Sequence, residues 1–159
     1  MNVLIRTFDD NDLEPIIQLS LLAWEPVFMS FRQILGPNIY PILYPDWRKI
    51  QTEVVETTCR DKERFTVLVA ELDQSVVGFL AYELKGETGE VYLLAVHPDA
   101  QNQGIATELN LIALEKMKAA GMKLAEVGTG GDDGHAPARR AYEKAGYIPF
   151  PLVRYFKDL

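Results

Sequence analysis

Apolar and polar positions alternate from Val3 to Phe8, the two-residue period of a strand. After Asp12, a side chain suited to an N-cap, Leu13, Ile16, Ile17, Leu21, Trp24, Phe28 and Phe31 fall on one face of a helix that Pro26 is expected to kink or interrupt. Gly36 to Pro45 carries three prolines and two tyrosines and reads as an irregular loop, followed by a helix from about Asp46 to Cys59. Arg64–Leu72 and Val76–Leu84 are strand patterns joined by a tight hairpin at Asp73-Gln74-Ser75, and Glu90–Val96 makes a third antiparallel strand after the Gly86 to Gly89 turn. From Gly104, Ile105, Leu109, Ile112, Ala113, Met117 and Ala120 recur at helical spacing until Gly121. Lys123–Gly128 is a further strand, Pro137 begins a second crossover helix that Gly146 ends, and Ile148 to Phe156 is expected to supply the last strand or strands. This order predicts a mixed α/β fold: a mostly antiparallel sheet flanked by helices, with one parallel connection through the Gly104 helix.

Composition narrows the picture. A chain of 159 residues, 48% hydrophobic and 25% charged, suits a single domain over 1–159 with a proper core. The net charge of −7 argues against non-specific nucleic-acid binding and leans towards a cationic partner such as an amine, although acidic surfaces more often serve solubility. No apolar run has bilayer length, and Met-Asn-Val-Leu-Ile-Arg lacks signal-peptide organisation, so the expected location is cytoplasmic, with no membrane partner. Cys59, the only cysteine, allows no internal disulfide and no cysteine zinc site and reads as a partly buried spectator. Asp132 and Asp133 are too few for a metal site, so no metal is expected.

The chemistry starts where the third strand runs through a polar turn into the Gly104 helix. Gly104 has no side chain and Ala106 only a methyl, so an anionic group such as a diphosphate can approach the free amides at the positive end of the helix dipole. Taken alone, the same small residues also suit tight packing of helix on sheet.

Two motifs in order decide the reading. Gln101-x-x-Gly104-x-Ala106 resembles the Gln/Arg-x-x-Gly-x-Gly/Ala acyl-CoA signature of the GNAT superfamily of N-acyltransferases. Downstream, His135-x-x-Ala138-x-x-x-Tyr142-Glu143-Lys144-x-Gly146-Tyr147 resembles that family's Asn-x-x-Ala-x-x-x-Tyr-Glu-Lys-x-Gly-Phe block. The resemblance covers the C-terminal half closely and the N-terminal half through its order of elements. It implies the GNAT fold, with the strand ending at Val96 splaying from the one near Lys123 to leave a cleft for pantetheine. It also implies acetyl-CoA as cosubstrate, a small-molecule or peptide amine as acceptor, direct attack in a ternary complex, and room for a homodimer.

The resemblance further assigns the site. Backbone groups of Leu94, Ala95 and Val96 pair with pantetheine like an added strand and polarise the thioester. The turn residues Gln101, Asn102 and Gln103 are uncharged where the family often has Arg or Lys. The pyrophosphate is therefore expected on the backbone amides of Gln103, Gly104, Ile105, Ala106 and Thr107, with weak salt dependence. Tyr142 is expected to protonate the departing thiolate, a transfer that a phenol of pKa ~10 can make to a thiolate of ~8.5; its alternative is a core tyrosine. The amine needs a base, and Glu90 is the first choice, placed by strand alternation on one face with Tyr92, Leu94 and Val96. Glu83, ordered water, or a merely solvated carboxylate are the alternatives. His135, where the family has asparagine, contacts the cofactor or caps the following helix, and His97 reads as structural.

The Gly128–Gly134 stretch has neither dinucleotide-fold spacing nor a P-loop lysine and reads as a flexible loop at the cleft mouth, helping to bind the acceptor. Phe28, Phe31, Tyr40, Tyr44 and Trp47 either line an acceptor pocket or form core. The expected function is N-acetyl transfer; the alternatives are a noncatalytic acyl-CoA-binding module of the same fold, or an interaction domain without cofactor.

Overall fold

The computed structural model describes residues 2–159. Its frame is a five-stranded sheet ordered β1 (Leu4–Thr7), β2 (Phe65–Leu72), β3 (Ser75–Lys85), β4 (Thr88–Val96) and β5 (Leu124–Val127). The first four strands pair antiparallel, and β5 runs parallel to β4. Helices α1 (Leu13–Leu43) and α2 (Trp47–Arg60) cover one face, and α3 (Ile105–Ala119) covers the other, with α4 (Ala136–Lys144) against α3. The mixed α/β order expected from the sequence is therefore the order found, up to the end of α4.

Strand alternation divides the core between the two faces. Val67, Val69, Phe79 and Ala81 join Ile16, Leu19, Val55 and Cys59 beneath α1 and α2, whereas Leu68, Ala70 and Leu80 join Ile105, Leu109, Ala113 and Met117 beneath α3. The β2–β3 hairpin has a two-residue turn in which Asp73 and Gln74 both take positive φ, as the twist of a tight hairpin demands. Cys59 is fully buried rather than partly so, and burial pushes its thiol up to about 11.

Four expectations need correction. Residues 36–45 are not an irregular loop: Gly36, at φ 73°, breaks α1, and the helix restarts at once and continues to Leu43. Pro37 fits the restarted first turn because its missing N–H has no helical partner there. Pro26 does not interrupt α1, which keeps helical backbone through it, and the exposed ring leaves the Leu22 carbonyl without its usual donor. Asp12 does not cap α1 with its side chain; its carboxylate takes Arg6 at 2.7 and 2.8 Å and the Asp9 amide.

The fourth concerns the tail. Residues 148–159 form no strand, because β5 pairs only with β4 and the tail runs instead past the end of α1, where Asn38 Nδ2 lies 3.4 Å from Asp158. Ile148, Phe150, Leu152, Val153 and Tyr155 stay exposed.

One irregularity in β4 shapes everything that follows. Ala81 pairs with Leu93 but Tyr82 pairs with Val91, so Tyr92 is an extra residue, a β-bulge. The bulge resets the alternation: Val91 belongs to the α3-side core, Leu93 to the α1-side core, and Leu94 and Val96 again to the α3 side. The pairing of β4 with β5 stops at the same place, at Val91–Val127. Beyond it β4 runs on to Val96, and among the described residues no strand lies beside it on that edge, which is the splay that the resemblance implied.

Candidate active site

The splay opens a cleft of about 350 Å³ whose floor is Leu94, Ala95 and Val96. One end of the floor leads into the polar turn and the start of α3. There Gly104 takes φ 83° and offers no side-chain cap, and the first helical bond inside α3 runs from Glu108 N to Gly104 O. The amides of Ile105, Ala106 and Thr107 are thus left without helical acceptors, and all three residues line the cleft. Open space surrounds the place where a Gly104 Cβ would sit, so ligand atoms can approach the backbone there.

The uncharged turn side chains are explained by what they hold. Gln101 folds back to donate to Val96 O at 3.0 Å, tying the strand end to the turn, and Gln103 reaches towards Asp99 O. Asn102 takes φ 61°, a left-handed conformation that asparagine tolerates. Gln101 and Asn102 line the cleft, whereas Gln103 stands outside its lining. Positive charge comes from elsewhere: Arg140 and Lys144 of α4 line the same cleft. The turn itself stays uncharged, and the cations lie on a different helix. Trp24, Pro26 and Val27 of α1 supply the opposite wall. Trp24 lies on the apolar face that helical spacing predicts and packs against the core, and the splay turns part of that face into cleft lining.

Residues 30–147 match the Acetyltransferase (GNAT) family model. The chain belongs to the GNAT acetyltransferase family. An acetyltransferase of Yersinia enterocolitica is 31% identical over 112 residues, covering 70% of this chain and 64% of that protein. A mycothiol acetyltransferase of Sanguibacter keddieii is 32% identical over 87 residues, covering 50% of this chain but only 27% of that longer protein. The PaiA N-acetyltransferase of Thermoplasma acidophilum, solved with coenzyme A, shares the fold at a TM-score of 0.69 and 19% identity, over 90% of this chain and 88% of that one.

Against this GNAT frame the remaining expected residues separate. Tyr142 is buried on α4 beside Tyr147, with ring centroids 5.8 Å apart; burial raises its phenol well above the ordinary range, and it is not among the cleft-lining side chains. Glu90 also stands outside the lining. Because of the bulge it shares a face with Glu83 and Tyr92, not with Leu94 and Val96, and Lys85 Nζ lies 3.8 Å from its carboxylate. Glu83 is 3% exposed and bound on both oxygens, to Arg64 at 2.6 and 3.2 Å and to Lys85 at 2.6 Å. The Arg64 hydrogen bonds, helped by Lys85, push its carboxyl down to about 2, so it is a fixed anion and a poor proton acceptor.

His135 lies in the cleft lining, held from behind. Its side chain does not cap α4; its Nδ1 meets Asp132 Oδ1 at 2.5 Å, while Asp132 Oδ2 accepts from Ser30 Oγ at 2.6 Å and from the Gly134 amide. Burial works to raise the Asp132 carboxyl, yet the hydrogen bonds from Ser30 and His135 outweigh it and leave the group below its ordinary value. The Gly128–Gly134 stretch is thus not a loose loop but is knitted to α1 and α4, with Arg139 gripping the carbonyls of Gly130 and Asp132 at 2.6 Å each. His97 accepts from the Asp99 amide and is structural.

The aromatic residues form one cluster, with Phe28 stacked on Trp47 at 4.4 Å and Phe31 on Tyr44 at 5.3 Å, next to a second hollow walled by Tyr40, Tyr44 and Trp47. Phe31 joins this cluster to His135 at 5.4 Å. Among the described residues there is no group of three or more His, Cys, Asp or Glu side chains placed to hold a metal, and no helix is long and apolar enough to cross a membrane.

Replacing Glu83 with Gln should lower Tm near neutral pH by roughly 2–4 °C, about 1 kcal/mol. The folded carboxylate stays ionised where the unfolded one takes up a proton, so its contribution is complete above the ordinary glutamate range and disappears as pH falls through about 2. Thermal unfolding of both proteins across acid pH checks this: the gap between them should close towards low pH.

Proposed function

We propose that this chain is an N-acetyltransferase, a single domain that moves an acetyl group from acetyl-CoA to a primary amine by direct attack in a ternary complex, in the cytoplasm and without a metal. The observation that carries the reading is the unpaired Leu94–Val96 edge leading straight into the uncapped amides at Gly104. Such an edge suits the amide-bearing pantetheine arm, and the amides of Gly104 to Thr107 suit the pyrophosphate. Gln101 and Asn102 shape the turn, and Gln103 contributes its amide. Arg140 and Lys144 add charge, and an N–H from the Leu94–Val96 edge polarises the thioester carbonyl.

Tyr142 is assigned the proton for the departing thiolate. The phenol is protonated at neutral pH, as an acid must be before transfer, and the burial that raises its pKa makes it a weaker donor until the thiolate lies beside it. Glu90, the base the sequence favours, stands outside the cleft lining and is assigned to the acceptor side as an anion that attracts the ammonium rather than as the group that takes its proton. The acidic surface suits a small-molecule or peptide amine, and no nucleic-acid or membrane partner is proposed.

Titration with acetyl-CoA followed by thiol-release assays on spermidine, lysine, an aminoglycoside and an alanine-initiated peptide tests this. Saturable binding and release with at least one amine are expected, and Tyr142→Phe should keep the acetyl-CoA Kd within about twofold while kcat falls about 100-fold. Undiminished kcat would remove Tyr142 from the reaction. Tight binding with no thiol release from the parent would favour a noncatalytic acyl-CoA module.

The charge assignment has its own test. The double variant Arg140→Gln, Lys144→Gln should weaken acetyl-CoA binding about tenfold at low salt and flatten its salt dependence, read by calorimetry at several ionic strengths.

We also propose a homodimer, supported by the tail. Ile148, Phe150 and Tyr155 are 91%, 83% and 89% exposed, and β5 leaves one sheet edge open. With the neighbouring apolar side chains the tail offers on the order of 1,000 Å², the scale of one side of a stable interface. Sedimentation should find a dimer in the intact chain and a monomer once the chain is cut after Tyr147.

A further inference from the structure

We propose that His135 is the catalytic residue that takes the proton from the incoming ammonium, and that Asp132, anchored by Ser30, is its positioning residue. This inference rests on the N-acetyltransferase reading and deepens it.

The argument begins with the two nitrogens of the ring. Nδ1 is committed to Asp132 Oδ1 at 2.5 Å. An ionised carboxylate only accepts, so Nδ1 carries the hydrogen and Nε2 is left with its lone pair. Nε2 has no hydrogen-bond partner among the described residues, and the side chain lines the cleft with 16% of its surface exposed. The orienting carboxylate is itself fixed, accepting from Ser30 Oγ of α1 at 2.6 Å and from the Gly134 amide at 3.1 Å.

The backbone has been fitted closely to this pair. A Cβ on Gly130 would fall 2.3 Å from both Asp132 Oδ1 and His135 Nδ1. A Cβ on Gly134 would meet Ser30 Cβ at 2.9 Å and the Val27 Cα at 3.0 Å. The glycines of this loop therefore leave room for the dyad and for its seat on α1.

The charged and polar groups around the ring come from three elements. From α1 come the Ser30 hydroxyl, through Asp132, and the Phe31 ring; from the loop, Asp132; from α4, Arg139, which spends its charge on two loop carbonyls, and Arg140 and Lys144 on the cleft wall. The β4 floor, Leu94 to Val96, brings no titratable side chain. Of the three groups that can take a proton, Glu83 has both oxygens bound to cations and Glu90 lies outside the lining, which leaves His135 as the one in the cleft.

The step balances. Nε2 accepts one proton from the ammonium, and the freed nitrogen lone pair forms the C–N bond at the thioester carbonyl carbon. The C–S bond breaks with its electron pair on sulfur, the proton still carried by the acylated nitrogen goes to sulfur by way of the Tyr142 phenol, and His135 returns its proton to water. The products are amide, thiol and one solvent proton.

The test uses the full chain with acetyl-CoA and whichever of spermidine, lysine, the aminoglycoside or the peptide releases thiol fastest from the parent. The parent should show an acid limb in kcat/KM. His135→Gln should lose that limb and about 100-fold in kcat near neutral pH, recover as pH approaches the amine's own pKa, and keep its acetyl-CoA Kd within about twofold. Asp132→Asn should lose less rate than His135→Gln and keep the acid limb. Nitrogen-15 spectra of the free parent's imidazole should show Nδ1 protonated and Nε2 bare, and Asp132→Asn should lose that preference. An active parent whose limb survives His135→Gln, or disappears in Glu90→Gln instead, overturns the proposal. A parent that releases no thiol with any of the four amines overturns the N-acetyltransferase reading first, and the proposal with it.

Discussion

The structure depends on the divergence of β4 from β5 after a few paired residues. A parallel pair that zipped to its end would bury the Leu94–Val96 backbone in a ladder and leave no room between α1 and α4. Instead the Tyr92 bulge increases the local twist and re-aims every residue after it, and pairing with β5 ends at Val91. An edge with unspent N–H and C=O groups inside a fold is costly unless something pairs with it. Gln101 meets that cost at the Val96 carbonyl, and the rest of the Leu94–Val96 edge lines the cleft.

Around this opening the chain divides its labour between backbone and side chains. The turn into α3 uses two of its side chains for internal ties, Gln101 to the end of β4 and Gln103 to the Asp99 carbonyl, and leaves the first amides of α3 without helical acceptors. Charge is supplied from α4, which is anchored in turn by Arg139 on the loop carbonyls. The same loop carries Asp132 and His135, and its hydrogen bond to Ser30 locks α4 to α1 across the cleft mouth. The Asp132–His135 pair, α1 and α4 are thus tied together at the cleft mouth.

The carboxylates show how surroundings sort chemically equal groups. Glu83 and Glu90 are register partners on neighbouring strands, yet Glu83 is clamped by Arg64 and Lys85 into a permanent anion whereas Glu90 has only the more distant Lys85. Asp132, one of two adjacent aspartates, is drawn into a buried network while its neighbour Asp133 stays exposed.

Much of this was legible from local sequence. The strand and helix periods, the Asp73-Gln74 hairpin, the start of α3 at Gly104, and the Gly121 and Gly146 stops all follow from short-range chemistry, because hydrophobic period and backbone conformation are set within a few residues. The Gln101–Ala106 motif falls on the strand–turn–helix that the sequence pattern predicts. What the sequence could not determine depends on partners distant along the chain. The Tyr92 bulge, and with it the face of Glu90, is a mismatch between two strands and belongs to neither sequence alone. Arg140 and Lys144 look like ordinary helix-surface cations until α4 is laid beside the cleft. His135 looked like a displaced asparagine until Ser30, 102 residues from Asp132, closed the network behind it. The tail has strand-like alternation but no strand, because alternation states only a capacity to pair, and a ladder forms only where tertiary structure brings an edge within reach.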